Sequence, residues 1–378
     1  MMGEHDEAAR RYLGGPTIEP LRLAGTENVA DMIERVYARS GFNGRRLAEA
    51  ARLFSQMLDG PTTVALTLAG AMTPIGMSGP IISLIERGFV DFIVSTGANL
   101  YHDLHRPFEM PMVQGSAEVD DEELAGLGVA RIYDVFIKDD ETLMATDRAI
   151  FEALRRLDSD GPLSTAMVHH AMGRAVAETA AHPDKSLLVA AAEYDVPVYS
   201  PSPGDSSIGM NLILSHIFDR PIRLDPIRDV IETAAIVRAA ESNGVVEIGG
   251  GAPKNFYLQT QPTLHQILLE AGQRGHDYVI QLTTDAPHWG GLSGATVSEA
   301  RSWGKVKHAH RNNVVVYSCA SVTFPLLAQY VLIRNRPRPH KRLYRCVPEL
   351  VEQLGRSARG NERLVRQLAA YYDVGHQG

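Results

Sequence analysis

The chain of 378 residues is 44% hydrophobic and 22% charged, enough apolar material for one large core or two moderate ones. Its 37 basic and 45 acidic residues give a formal charge of −8, which argues against a general nucleic-acid or anionic-membrane surface. Two cysteines, Cys319 and Cys346, make neither a disulfide framework nor a zinc set.

In chain order, the first eleven residues are charged and lack the apolar stretch of a secretory signal, so a cytoplasmic location is expected. Val29, Met32, Ile33 and Val36, then Leu47, Ala50, Leu53, Phe54 and Met57, recur at helical spacing and predict helices over 27–58. The apolar tract 63–85 is broken by Gly70, Pro74, Gly76, Gly79 and Pro80, which reads as strand, loop and helix, not as a membrane span. Runs rich in Val and Ile at 63–68, 89–95, 131–137, 197–200, 244–248, 278–282 and 314–318 predict strands. Helical stretches at 80–87, 142–157, 186–194, 226–241, 263–272 and 324–333 separate most of them. Apolar strands alternating with helices predict an α/β fold: one large domain with a mainly parallel sheet flanked by helices. After about residue 334 the chain turns basic, Arg336-Pro337-Arg338-Pro339-His340-Lys341-Arg342, which reads as a solvated loop before a C-terminal helix near 349–372. The expected division is a helical extension over 1–60, an α/β domain over 61–334, and a basic linker with a helix over 335–378.

The glycine-rich segments follow the predicted strands, after Leu68, Val94, Ser200, Ile248 and Leu282. Ligands of parallel sheets gather at such carboxyl ends. Gly249-Gly250-Gly251 offers bare N–H groups to a phosphate, although Lys254 stands where a dinucleotide fingerprint has its last glycine. The loop 283–295 gathers Asp285, His288, Trp289 and three glycines, a density typical of a site lining. Ser302-Trp303-Gly304-Lys305 supplies a lysine beside an apolar wall. An amine attacks carbon only when uncharged, and burial can lower a lysine pKa by roughly 3–5 units. Taken alone, Lys305 also reads as the solvated end of a helix. His102-Asp103-Leu104-His105 has no further ligand cluster at readable spacing, and no metal is expected. His169, His170, His308 and His310 read as surface residues.

These blocks join Leu68-Ala69-Gly70-Ala71-Met72-Thr73-Pro74, Ser95-Thr96-Gly97-Ala98-Asn99-Leu100-Tyr101-His102-Asp103-Leu104 and Ser202-Pro203-Gly204-Asp205-Ser206-Ser207-Ile208-Gly209. Together, over about residues 60–334, they resemble the deoxyhypusine synthase family, and more closely its bacterial deoxyhypusine synthase-like branch. The resemblance implies an aminobutyl transferase acting on polyamines. In that family NAD takes a hydride from spermidine and a lysine attacks the resulting imine. A diamine leaves, and the four-carbon group on the lysine passes to an acceptor amine. By resemblance Lys305 is that lysine and Trp303 part of the amine pocket. Thr73, Thr96, Gly97, Asp205, Gly249, Gly250, Gly251, Thr284 and Ser293 are the expected NAD contacts, and the 2′-phosphate of NADP is not expected.

The chain departs from the family where donor recognition is concerned. Leu292, Met210, Tyr101 and His102 stand where the hypusine-forming enzymes hold the polyamine with carboxylates. Asn255 replaces a catalytic His, and Trp289 and Cys319 replace two further carboxylates. The expected substrate contacts are therefore Trp303, Trp289, Tyr101, His102 and Asn255, with cation–π terms of about 0.5–2 kcal/mol each. The acids remaining nearby are Asp103, Asp205, Asp285 and Glu299. His288, with Asp285 beside it, or His102 is expected to carry the proton. The expected acceptor is a small amine such as putrescine, giving homospermidine, and the expected assembly, by resemblance, a homotetramer. The competing readings are an NAD-dependent amine oxidoreductase that releases its imine, and an inactive paralogue serving as a scaffold or activating subunit.

Overall fold

The computed structural model describes residues 9–10, 12–157, 161–218, 220–272, 275–369 and 371. Within them the strands are β1 (Thr63–Leu68), β2 (Phe92–Ser95), β3 (Met112–Gln114), β4 (Val129–Ile132), β5 (Val135–Lys138), β6 (Val198–Tyr199), β7 (Asn243–Ile248), β8 (Tyr278–Thr283) and β9 (Asn313–Tyr317). Six of them form one parallel sheet in the order β6-β2-β1-β7-β8-β9. Both faces of this sheet are covered, so its strands are apolar at successive positions and not only at alternate ones.

Val64, Leu66, Leu68, Val246, Ile248, Ile280 and Leu282 join one apolar cluster, and Ala65, Phe92, Val94, Val245 and Val279 another. The side-chain period of two sends these sets to opposite faces. The helix Phe42–Asp59 buries Leu47, Ala50, Phe54 and Met57 in the first cluster. The helices Pro226–Ala239, Gly251–Pro262 and Leu343–Gly360 close the second. One sheet between two helical layers makes this a single α/β domain, as the alternating pattern predicted.

Four expectations change. The run 131–137 is not a strand of the main sheet. It is the hairpin β4–β5, antiparallel and joined by β3 into a separate three-stranded sheet. Its turn runs through Tyr133 at φ +55°, a left-handed residue that no glycine announces. The stretch 263–272 is a single π turn, Thr263–Ile267, that continues the helix Gly251–Pro262. His169, expected at the surface, is buried in the helix Thr165–Thr179 with Nδ1 2.8 Å from the Val198 carbonyl.

The basic run is also not a solvated loop. Arg338 donates to Asp91 Oδ2 at 2.9 Å and to the carbonyls of Gly88 and Thr62. Lys341 reaches Pro61 O at 2.9 Å and Thr63 Oγ1 at 2.8 Å. The run fastens the amino ends of β1 and β2, where Asp91 and open carbonyls need donors. Among the described residues no helix is long and apolar enough to cross a membrane.

Candidate active site

The chain leaves β1 toward β2 and β6 on one side, and β7 leads to β8 and β9 on the other. The strand order therefore reverses between β1 and β7, and a parallel sheet opens its ligand crevice at the carboxyl ends of such a pair. Gly70, Gly249 and Gly251 sit there at φ +61°, +77° and +61°, a region that favours glycine. A Cβ on Gly250 would lie 2.5 Å from Ser293 Cα, so the missing side chain lets the 291–295 loop rest on the helix start. Ser293 Oγ accepts from Gly251 N at 2.9 Å. The N-cap residue Gly250 has no side chain to cap the helix Gly251–Pro262 itself, and beyond the Ser293 contact the partial positive charge of the helix start faces the crevice. A Cβ on Gly70 would meet nothing within 4 Å, so space stays open above it. Gly249 N is taken by Leu282 O at 2.8 Å and Gly251 N by Ser293 Oγ, so the fit to the pyrophosphate of a dinucleotide rests on the side-chain-free approach at Gly250, the Ser293 hydroxyl and the helix dipole.

On the β2 side, Thr96 Oγ1 donates to Gly70 O at 2.6 Å and accepts from Asn99 Nδ2 at 3.0 Å. Thr73 is fully buried, and its Oγ1 donates to Asn99 O at 2.7 Å. Asn99 Oδ1 accepts from the backbone N of Met72 and of Thr73. Asn99 is thus the hub that shapes the loop after β1, a role no sequence signal marked because a buried Asn looks like any helix residue. Thr73 and Thr96 shape this wall with hydroxyls already engaged. A Cβ on Gly97 would collide with Ser206, so the Asp205 loop closes directly onto it. Asp205 and Thr284 are exposed.

Lys305 lies in the turn after the helix Val297–Ala300, pinned by Lys305 N to Ala300 O at 3.0 Å and His276 N to Lys305 O at 2.9 Å. Gly304 has φ +69°, and a Cβ there would be 2.6 Å from His265 Nε2, so only glycine fits before the lysine. Lys305 Nζ donates to Asn255 Oδ1 at 2.8 Å and lies 5.9 Å from the Trp303 ring centroid. Burial, then the neighbouring Lys254 charge, lowers its pKa. Trp303 is 65% exposed, so its ring screens the amine from one side only.

Lys254, one residue before Asn255, is the second lysine. It is 2% exposed, and its Nζ faces Ala295 O at 2.7 Å, Gln281 Oε1 at 3.1 Å and Ser293 O at 3.5 Å. Three acceptors match the three donors of an ammonium. Beside them on β7, Glu247 is fully buried with no partner on either oxygen. Burial pushes its carboxyl up to about 7, against the pull of Lys254 and Lys305. A Glu inside an apolar strand run was the available signal for it.

The structure does not bring Tyr101, His102 and Asp103 to this amine. Tyr101 is buried with its hydroxyl 3.1 Å from both Asp147 Oδ1 and Leu143 O. His102 Nδ1 lies 2.9 Å from His105 Nε2, and burial depresses the two rings to about 4 and about 3. Asp103 accepts from Ser186 Oγ at 2.6 Å and from the backbone N of Leu187 and Leu188. The expected substrate contact of Tyr101 and proton role of His102 are therefore corrected: packing and internal partners occupy both. Asp285 is half-buried, while His288 and Trp289, with ring centroids 5.8 Å apart, are exposed on their loop. Among the described residues no group of three or more His, Cys, Asp or Glu could hold a metal.

The fold and site define a parallel α/β protein with a phosphate-type cradle beside a half-buried lysine. The family model for deoxyhypusine synthase matches residues 31–331. A "Deoxyhypusine synthase-like protein" of Cyanothece sp. is 42% identical over 355 residues, covering 90% of this chain and 88% of its own. That of Nostoc punctiforme is 42% identical over 341 residues, covering 87% and 86%. "Probable deoxyhypusine synthase 2" of Methanosarcina acetivorans is 39% identical over 318 residues, covering 84% and 90%. A solved structure of a candidate deoxyhypusine synthase from Entamoeba histolytica shares the fold, with a TM-score of 0.59 at 16% identity over 85% of this chain and 99% of that one. The chain belongs to the deoxyhypusine synthase family.

Proposed function

We propose that this chain is an NAD-dependent aminobutyl transferase that works on polyamines through an imine on Lys305. The observation that carries this reading is the contrast between two neighbouring lysines. Lys254 is held by three oxygen acceptors, whereas Lys305 has one, Asn255 Oδ1; burial lowers the pKa of both, and the Lys254 charge also lowers that of Lys305. A second cation beside a half-buried amine is a recognised way to keep a nucleophile neutral.

Bound NAD supplies hydride acceptance and return. Gly249, Gly250, Gly251 and Ser293 would hold its phosphates, with Thr96, Gly97, Asp205 and Thr284 along the rim. Asn255 orients the Lys305 nitrogen. Trp303 and Trp289 offer aromatic faces to the donor's ammonium groups, and Asp285 and Glu299 supply the negative charge nearby. His288 carries the proton, since His102 is engaged with His105. The acceptor is a small amine: a folded protein acceptor needs a docking face of about 800 Å², and bulky Trp289 and His288 narrow the approach.

Spermidine with NAD, with and without putrescine, followed by mass spectrometry, tests this. The expected results are a homospermidine-type product and, with borohydride, a mass increment on the Lys305 peptide that Lys305→Ala abolishes. Accumulating NADH without transfer would make the chain an amine oxidoreductase, and no conversion would make it a scaffold. An adduct on Lys254, or full activity in Lys305→Ala, overturns the nucleophile assignment.

A further inference from the structure

Glu247 has no task in the site as described. Its carboxyl is fully buried on β7, and neither oxygen has a donor. Leaving such a group bare opposes folding. The strand register sets Thr67 of β1 and Gln281 of β8 beside it on the same sheet face, and the Thr67 hydroxyl is also unpartnered. The helix Gly251–Pro262 lies over this face. From it Lys254 reaches Gln281 Oε1, and Asn255 holds Lys305 Nζ. The bare carboxyl is thereby set among the residues that place the amine.

We propose that Glu247 is the counter-ion of the cationic nitrogen at Lys305, a positioning residue that ionises when that nitrogen carries charge. The nature of the adduct rests on the transferase reading; the pairing with Lys305 does not. In that reading the Lys305 lone pair adds to the carbon of the donor's protonated C=N bond. A proton passes from Nζ to the departing nitrogen, the old C–N bond breaks, and the diamine leaves neutral. The positive charge stays on the new C=N–H⁺ of Lys305, and nothing is oxidised or reduced.

A cation there sits close to the Lys254 ammonium and requires an opposing charge. The titratable groups around Glu247 are Lys254 and Tyr257 from the overlying helix and Lys305 from the turn, with Asp285 acting on Lys254 and Glu299 acting on both lysines from the mouth, on Lys305 ahead of Glu247, though Glu299 is exposed and screened by solvent. Glu247 is the fully buried acid among them. In the resting site burial raises its pKa, up to about 7, and positive charge at Lys254 and Lys305 draws it down.

The test needs no turnover. The full chain is reductively methylated with formaldehyde and cyanoborohydride from neutral to alkaline pH, and labelling is read peptide by peptide. In Glu247→Gln the Lys305 midpoint is expected to fall by about one pH unit, the usual effect of losing an opposite charge. The exposed Lys185 should not move. Glu247→Met, which fills the site with an apolar chain, gives the same shift and covers a failure of the Gln variant to fold. An unchanged Lys305 midpoint in the folded variants overturns the counter-ion role. A shifted midpoint in a protein that forms no spermidine adduct keeps the role and removes the transferase reading.

Discussion

Two lysines fifty-one residues apart in sequence meet at one crevice, and their acceptors separate their roles. Lys254 Nζ meets Gln281 Oε1 and two carbonyls, and Lys305 is left with one amide oxygen. Sequence could nominate Lys305 through its Trp-Gly flank, but it gave no weight to Glu247, whose chemistry depends on what surrounds it. The folded pKa of Glu247, about 7, lies above its ordinary 4.5. The native state therefore holds this proton more tightly than the unfolded chain. That stabilisation is complete below pH 4.5 and is lost as pH rises through 7. Glu247→Gln cannot lose it, so its stability gain over the parent should be near zero below pH 4.5 and on the order of 2–3 kcal/mol above pH 7. Thermal unfolding at the two pH values measures this, and an equal gain at both would contradict it.

At the scale of elements, the loop 283–295 and the start of the helix Gly251–Pro262 are built against each other. A Cβ on Gly250 meets the backbone of Ser293, whereas one on Gly291 meets nothing within 4 Å. Gly250→Ala should therefore destabilise by about 1–3 kcal/mol, as overpacking does, and should weaken NAD binding, while Gly291→Ala changes neither. Titration with NAD, which should bind more tightly than NADP, together with thermal unfolding checks the pair. The strands of the main sheet were legible because apolar runs bounded by glycine are hard to read otherwise. The hairpin at 129–138 was not, because its turn is made by Tyr133 and Asp134 without a glycine.

Over the whole molecule, Arg338 ties the end of the sheet to a segment more than two hundred residues away. Asp91 is buried, and Arg338 is its closest cation. Arg338→Met leaves that carboxylate largely uncompensated, and a loss of about 3 kcal/mol or more is expected in denaturant unfolding. A loss within experimental scatter would show that Lys341, 3.9 Å from the same oxygen, suffices. Trp289 and Trp303 are 69% and 65% exposed at the mouth of the site. We propose that a second copy covers them in a homotetramer of two tight dimers. Light scattering should report that assembly, and a monomer with full activity would rule it out.

The sequence by itself determined the parallel α/β class, the position of the glycine-rich turns and the candidate lysine. Each of these is written locally, in apolar runs, turn residues and a four-residue flank. Only the tertiary structure decided the rest. Strand order, which no local pattern encodes, placed the crevice between β1 and β7. Packing removed Tyr101, His102 and Asp103 from the site by giving them internal partners. The basic run became a buried clasp because Asp91 and the amino-end carbonyls of the sheet lay within its reach. Glu247 acquired its place among Thr67, Gln281 and two lysines through contacts between segments far apart in the chain, because the charge state of a buried group is set by its spatial neighbours.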